Sequence, residues 1–189
     1  SAAFGALNRG KLGMVLDLSQ QAGRDVFTRL ARSADILIEN FKTGGLAKYG
    51  LDYESLRKVN PRLIYCSITG FGHTGPYAAY AGYDFIVQGM SGLMSITGEK
   101  DGQPMKTGVA VADLFTGIYS VIGILAALRH AEKTGEGQHI DMALLDSQAG
   151  VLANQNMNYL ATGISPKRIG NENPNIVPYE VVPVADGHI

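Results

Sequence analysis

One cysteine, Cys66, stands in 189 residues, so the chain forms no disulfide within itself and carries no cysteine-based metal site. That scarcity fits a reducing compartment, the cytoplasm or an organelle matrix. Charge is sparse too: 17% of residues are charged, the net charge is −1, and no Lys/Arg run could act as a basic arm. Nucleic acid is therefore not an expected partner. The four histidines, His73, His130, His139 and His188, fall at no metal-ligand spacing, so no metal site is expected. Long apolar runs are missing as well. Leu114 to Leu128 is too short to span a bilayer and is closed by Arg129 and His130, so it reads as a buried core helix, with no membrane partner. The start, Ser1-Ala2-Ala3-Phe4-Gly5, lacks a charged region followed by an apolar one and is not expected to be a secretory signal.

What is present is the composition of one soluble globular domain, with 46% hydrophobic residues and a length sufficient for a sizeable core. Strands and helices alternate. Leu12 to Leu18 reads as a strand, Gln20 to Ala34 as a helix, and Ile36-Leu37-Ile38 as a short β-branched strand. Asp52 can cap a short helix through Val59 that Asn60-Pro61 stops, and Leu63 to Ile68 reads as a further strand. Helical patterns follow at Tyr83 to Met94, Asp113 to Ala131 and Leu145 to Ala161, with Gly135 as a C′ residue and His139 to Met142 as a strand. Strands joined through helices imply an α/β fold, a mostly parallel sheet covered by helices.

Ligands in such sheets bind beyond the carboxyl ends of the strands. The turn-rich stretch Thr69 to Gly82 and Glu39-Asn40-Phe41 would both lie there. Gly70, Gly72 and Gly75 match neither a P-loop nor a dinucleotide fingerprint. Asp113 is a charge at the head of an apolar run, where the helix begins. Unpaired N–H groups and the positive end of the dipole favour its ionised form there, and spacing alone reads it as an N-cap.

The strings Glu39-Asn40-Phe41, Asn60-Pro61-Arg62-Leu63-Ile64, Gly70-Phe71-Gly72-His73-Thr74-Gly75-Pro76, Ala81-Gly82-Tyr83-Asp84, Val111-Ala112-Asp113 and Lys133-Thr134-Gly135-Glu136-Gly137-Gln138 occur in this order. Together they resemble the class III coenzyme A transferases, the family of formyl-CoA transferase and the carnitine CoA-transferases, over nearly the whole chain. The resemblance implies the Rossmann-like large domain of that family, spanning residues 1–189 and truncated at both ends, because members are longer chains. It implies transfer of coenzyme A between an acyl-CoA and a small carboxylic acid, with CoA as substrate and no permanently bound cofactor. It also implies an interlocked homodimer for the longer parent.

Within that resemblance Asp113 matches the aspartate that attacks the thioester to give a mixed anhydride, in a closed, dry pocket. Asn40, Phe41 and Lys42 match the stretch against the CoA, Lys48 matches a contacting arginine, and Leu16, Asp17, Leu18 and Ser19 match a further contacting segment. Ser19 stands where the formyl-CoA enzymes carry a lysine. Ala81, Gly82, Tyr83 and Asp84 match the segment beside the thioester. These last residues, with Val111-Ala112-Asp113-Leu114, look more like the succinyl-CoA-dependent dicarboxylate branch. A second substrate carboxylate would want a cation, and Arg168 or Lys106 could supply it. The alternatives are an α-methylacyl-CoA racemase of the same fold, against which Tyr83 argues because a histidine occupies its place there, and a non-catalytic CoA-binding piece in which Asp113 is only a cap.

Overall fold

Three parallel strands frame the protein in a computed structural model that describes residues 2–189. Strands β1 (Ile36–Glu39), β2 (Ile64–Thr69) and β3 (His139–Ala143) lie in that order, with Ile38 opposite Cys66 and Cys66 opposite Ile140. Parallel neighbours cannot be joined by a hairpin, so each connection carries helix. A short turn at Ala47–Tyr49 and helix α3 (Tyr53–Leu56) link β1 to β2, while α4 (Asp84–Met90), α5 (Leu93–Ile96) and α6 (Val111–Thr134) link β2 to β3. Ahead of β1 come α1 (Ala2–Asn8) and α2 (Gln21–Ser33), and after β3 come α7 (Leu144–Val151), α8 (Asn154–Thr162) and a small hairpin of β4 (Pro183–Val184) and β5 (Gly187–His188). The α/β class expected from the sequence is the one observed.

Strand β2 is the centre because its run Ile-Tyr-Cys-Ser-Ile-Thr can be buried on both faces. Alternation sends Leu63 and Tyr65 to one side, where they pack with Leu37 against Ala31 of α2 and Leu56 of α3. Ile64 and Cys66 point the other way and meet Ile124 and Ala127 of α6. Asn60 closes the α2 end of the first layer by donating to the carbonyls of Ala31 and Ala34 at 3.0 and 2.8 Å, which would otherwise be left without partners.

Several elements depart from the sequence reading. Leu12 to Leu18 is not a strand: residues 11–17 carry no regular secondary structure, Leu18 lies in a turn, and Leu12 and Val15 are fully exposed, with no strand among the described residues paired to the segment. The helix after Asp52 stops at Leu56, Tyr83 to Met94 is broken by Gly92 at φ 93°, and Leu145 to Ala161 by Ala153 at φ 47°.

Helix α6 differs most. It runs 24 residues, long and apolar enough by length and composition to cross a membrane. Its sheet-facing stripe is Ala112, Thr116, Ser120, Ile124, Ala127 and Ala131. Within the run Leu114 to Leu128, expected to be buried, Ile118, Val121, Ile122 and Leu125 are instead more than half exposed, while Leu128 packs against the sheet. Small residues let the helix approach β2 closely, and the buried hydroxyls are satisfied within the helix, Thr116 donating to the Ala112 carbonyl and Ser120 to that of Thr116.

The turn into β3 is equally tight. A Cβ on Gly137 would lie 2.1 Å from the Leu63 carbonyl oxygen, and backbone cannot swing aside. Gly137→Ala should therefore destabilise the fold by about 1–3 kcal/mol, measured by urea denaturation; an unchanged midpoint would refute this packing.

Candidate active site

Helix α6 begins at Val111 after Ala110, a cap residue with no side-chain oxygen. Its first N–H groups still require an acceptor. The acceptor comes from 28 residues earlier: Oδ1 of Asp84, the first residue of α4, accepts from the Ala112 N–H at 2.8 Å and from the Asp113 N–H at 3.4 Å. The other oxygen, Oδ2, accepts from Nε2 of Gln88 at 2.7 Å. Asp113 is thus the third residue of the helix and not its cap; Asp84 fills that role from across the fold.

This arrangement reverses the electrostatic expectation for Asp113. Partial desolvation raises the proton affinity of its carboxyl, although the residue as a whole is exposed, and the negative charge of Asp84 raises it further. The helix N–H groups that would have favoured an ionised Asp113 are directed at Asp84 instead. Both carboxylates line one cavity of about 320 Å³, together with Asn40, Ile68, Gly82, Tyr83, Thr116 and Gly117. The phenol of Tyr83 makes no hydrogen bond among the described residues and is available to a ligand. Asp113 itself is exposed, so these residues do not supply the wall that would exclude water.

A second cleft of about 190 Å³ adjoins the first through Asn40, Gly82 and Tyr83, and adds Phe41, Lys42, Tyr80 and Ala81. Asn40 is fixed there by donating to the Ile68 carbonyl at 2.5 Å. The loop between is closed by contact of two glycines, since a Cβ on Gly70 would lie 2.4 Å from Cα of Gly82 and one on Gly82 2.6 Å from Cα of Gly70. Eight residues singled out in the sequence therefore converge: Asn40, Phe41, Lys42, Ala81, Gly82, Tyr83, Asp84 and Asp113.

The others stand apart. Lys48 lies over the ring of Tyr49 at 4.7 Å and lines neither cavity. Leu16 to Ser19 form a turn before α2, in which the hydroxyl and N–H of Ser19 donate to Asp17 and hold its carboxyl below the usual range. Arg24 donates to the carbonyls of Leu18 and Ser19. Arg168 is engaged with the carbonyls of Ser95 and Gly102, whereas Lys106 reaches only the Thr107 carbonyl. His73 lines a third cleft with His139 and Ser67, which meets the second at Lys42, and its backbone N–H donates to Asp141. Among the described residues no group of three or more His, Cys, Asp or Glu side chains could hold a metal ion. Gln88 and Thr116 escaped the sequence reading, although the four-residue spacing of Asp84 and Gln88 on one helix was a visible signal.

CoA-transferase family III matches residues 1–189, the whole chain. The chain belongs to that family. A succinate–glutarate CoA-transferase of Agrobacterium fabrum is 70% identical over 189 residues, covering all of this chain and 47% of that protein. An acetyl-CoA:oxalate CoA-transferase of Acetobacter aceti is 44% identical over 187 residues, 98% of this chain and 48% of that protein. The crystal structure of a CAIB/BAIF family protein from Brucella suis superposes with a TM-score of 0.92 at 62% identity, over 100% of this chain and 50% of that one. The family III chain thus spans about half the length of the relatives it matches.

The coupling of the two carboxylates is directly measurable. Asp84→Asn keeps an oxygen for the Ala112 N–H but removes the charge, so Asp113 should titrate at lower pH. The drop should be partial, because burial is the larger cause of the shift. Carboxyl ¹³C NMR of labelled aspartate reads this; an Asp113 titration that stays put or moves up in the variant would contradict it.

Proposed function

We propose that the protein transfers coenzyme A between an acyl-CoA thioester and a small carboxylic acid, with Asp113 as the nucleophile. The observation that carries this is the placing of Asp113, its proton affinity raised, in a cavity continuous with the cleft of Asn40, Phe41 and Lys42. A carboxylate oxygen of Asp113 attacks the thioester carbonyl carbon; the C–S bond breaks, CoA leaves as thiolate, and an acyl–aspartyl mixed anhydride remains. Acceptor carboxylate or returning thiolate then reopens it. The attack removes negative charge from a position next to Asp84, so repulsion between the two carboxylates raises the starting state more than the anhydride and favours acylation.

Succinyl-CoA or another dicarboxylyl-CoA is the proposed donor. Support comes from the succinate–glutarate relative, which shares 70% of residues with this chain. Lysine at position 42 would meet a CoA phosphate as a point charge, and the Tyr83 phenol would donate to the thioester oxygen. The remaining wall of the pocket would come from the rest of the protein and from a second subunit. An interlocked homodimer would also cover the outward face of α6, where Leu114, Ile118, Val121, Ile122 and Leu125 stand exposed. The cytoplasm or an organelle matrix suits its single, buried cysteine.

In the full-length protein, Asp113→Asn should lower transfer by about 10³-fold or more while CoA binding, followed by calorimetry, stays nearly intact. A folded variant that keeps more than a few per cent of the rate would remove Asp113 from the mechanism.

A further inference from the structure

Gln88 is fully buried on α4, an amide in an apolar setting where unmade hydrogen bonds are costly. Its bonds are made, and they are specific. Oε1 accepts from the N–H of Thr107 at 2.9 Å, whose hydroxyl donates to the Val109 carbonyl at 2.8 Å, while Nε2 donates to Oδ2 of Asp84 at 2.7 Å. Those partners fix which way the amide points, since the flipped form would set NH₂ against an N–H and oxygen against a carboxylate. Gln88 lines neither cavity. It stands between Asp84, which caps α6, and Thr107, in the segment that leads into α6.

We propose that Gln88 is a positioning residue for the transfer reaction: it clamps the Asp84 carboxylate against the first turn of α6 and thereby sets the charge and geometry at Asp113. The proposal rests on the nucleophilic role given to Asp113 above. Two carboxylates facing one cavity repel, and Asp84 can turn away about two side-chain torsions. The short, charge-assisted bond from Gln88 opposes that turn. Because Oε1 is held by Thr107, the clamp also ties the approach to α6 to the same carboxylate.

The test uses the full-length protein with Gln88→Leu, Asp84→Asn, their double variant, and Gln88→Glu. Gln88→Leu should lower kcat about 10- to 100-fold with KM for the acyl-CoA changed less than about twofold, as misplacement of a reacting group does. Added to Asp84→Asn, the same change should cost less than about threefold, because it acts through a carboxylate charge that is already gone. Multiplying effects would overturn the proposal. A purely structural defect is read separately: without substrate, the ¹³C titration of Asp113 should fall in Gln88→Leu towards its position in Asp84→Asn, and an unmoved titration in a folded variant would overturn the clamp. Gln88→Glu keeps the shape and the acceptor for Thr107, and it can replace the clamp only by sharing a proton with Asp84; its kcat should therefore fall like that of leucine as pH rises and that proton is lost, and a kcat that stays at the wild-type value at high pH would equally overturn the clamp. Should Asp113→Asn prove active, the nucleophile reading fails, while the substrate-free titration still decides the role of Gln88.

Discussion

A single carboxylate, that of Asp84, holds the site in register. It accepts from Gln88 within its own helix and from the Ala112 and Asp113 N–H groups of α6, and so joins two helices that are otherwise separated by a loop and α5. The N-terminus of a helix is an anion site, and usually the residue at the cap fills it. Here the cap is alanine. The borrowed acceptor has a chemical consequence: the helix dipole stabilises Asp84, and Asp113, one step further along, is left with a higher proton affinity than a capping aspartate would have. A more basic carboxylate is a better nucleophile, although less of it is ionised at low pH. Burial and Asp84 together set that balance.

The position of α6 against the sheet follows from a different constraint. Its inner stripe is made of alanine, threonine and serine, with Ile124 as the one large side chain, so the helix axis can sit close to β2 and β3. Closeness matters because the first turn of α6 must reach Asp84 at the carboxyl end of β2, where Ile68, Val87, Ala112 and Leu144 pack together. The same economy appears in the loop beside it, where Gly70 and Gly82 meet backbone to backbone. A helix apolar on every side with small residues inward leaves its large side chains facing out. Such a face is compatible with a core only when something else lies on it.

The sequence was most legible where signals are local. Ile36–Glu39, Ile64–Thr69 and His139–Ala143 are short runs bounded by Asp35, Asn60-Pro61 and Gly137; burial alternates along the first and third, while the second is buried on both faces. Gly135 at φ 80° ends α6 as its position suggests. Leu12 to Leu18 has the pattern of a strand but no neighbouring strand among the described residues, and pattern alone cannot supply one. The facing of α6 was hidden because a run apolar all round carries no orientation in its period. Likewise the cap at α6 depends on a contact across 28 residues, which no local rule contains. At the site, motif resemblance grouped Asn40, Phe41, Lys42, Ala81, Gly82, Tyr83, Asp84 and Asp113, which the fold brings around two adjoining cavities. Leu16 to Ser19 and Lys48, grouped with them by the same resemblance, lie outside those walls.

In the proposed mechanism the Asp113 carboxylate, and no other, becomes acylated. Full-length protein incubated with succinyl-CoA and then hydroxylamine should carry a hydroxamate that peptide mass spectrometry places at Asp113, with Asp84 unmodified, because Asp84 is held by its donors and does not attack. A label at Asp84 or at another carboxylate, or no label while transfer proceeds, would contradict the account.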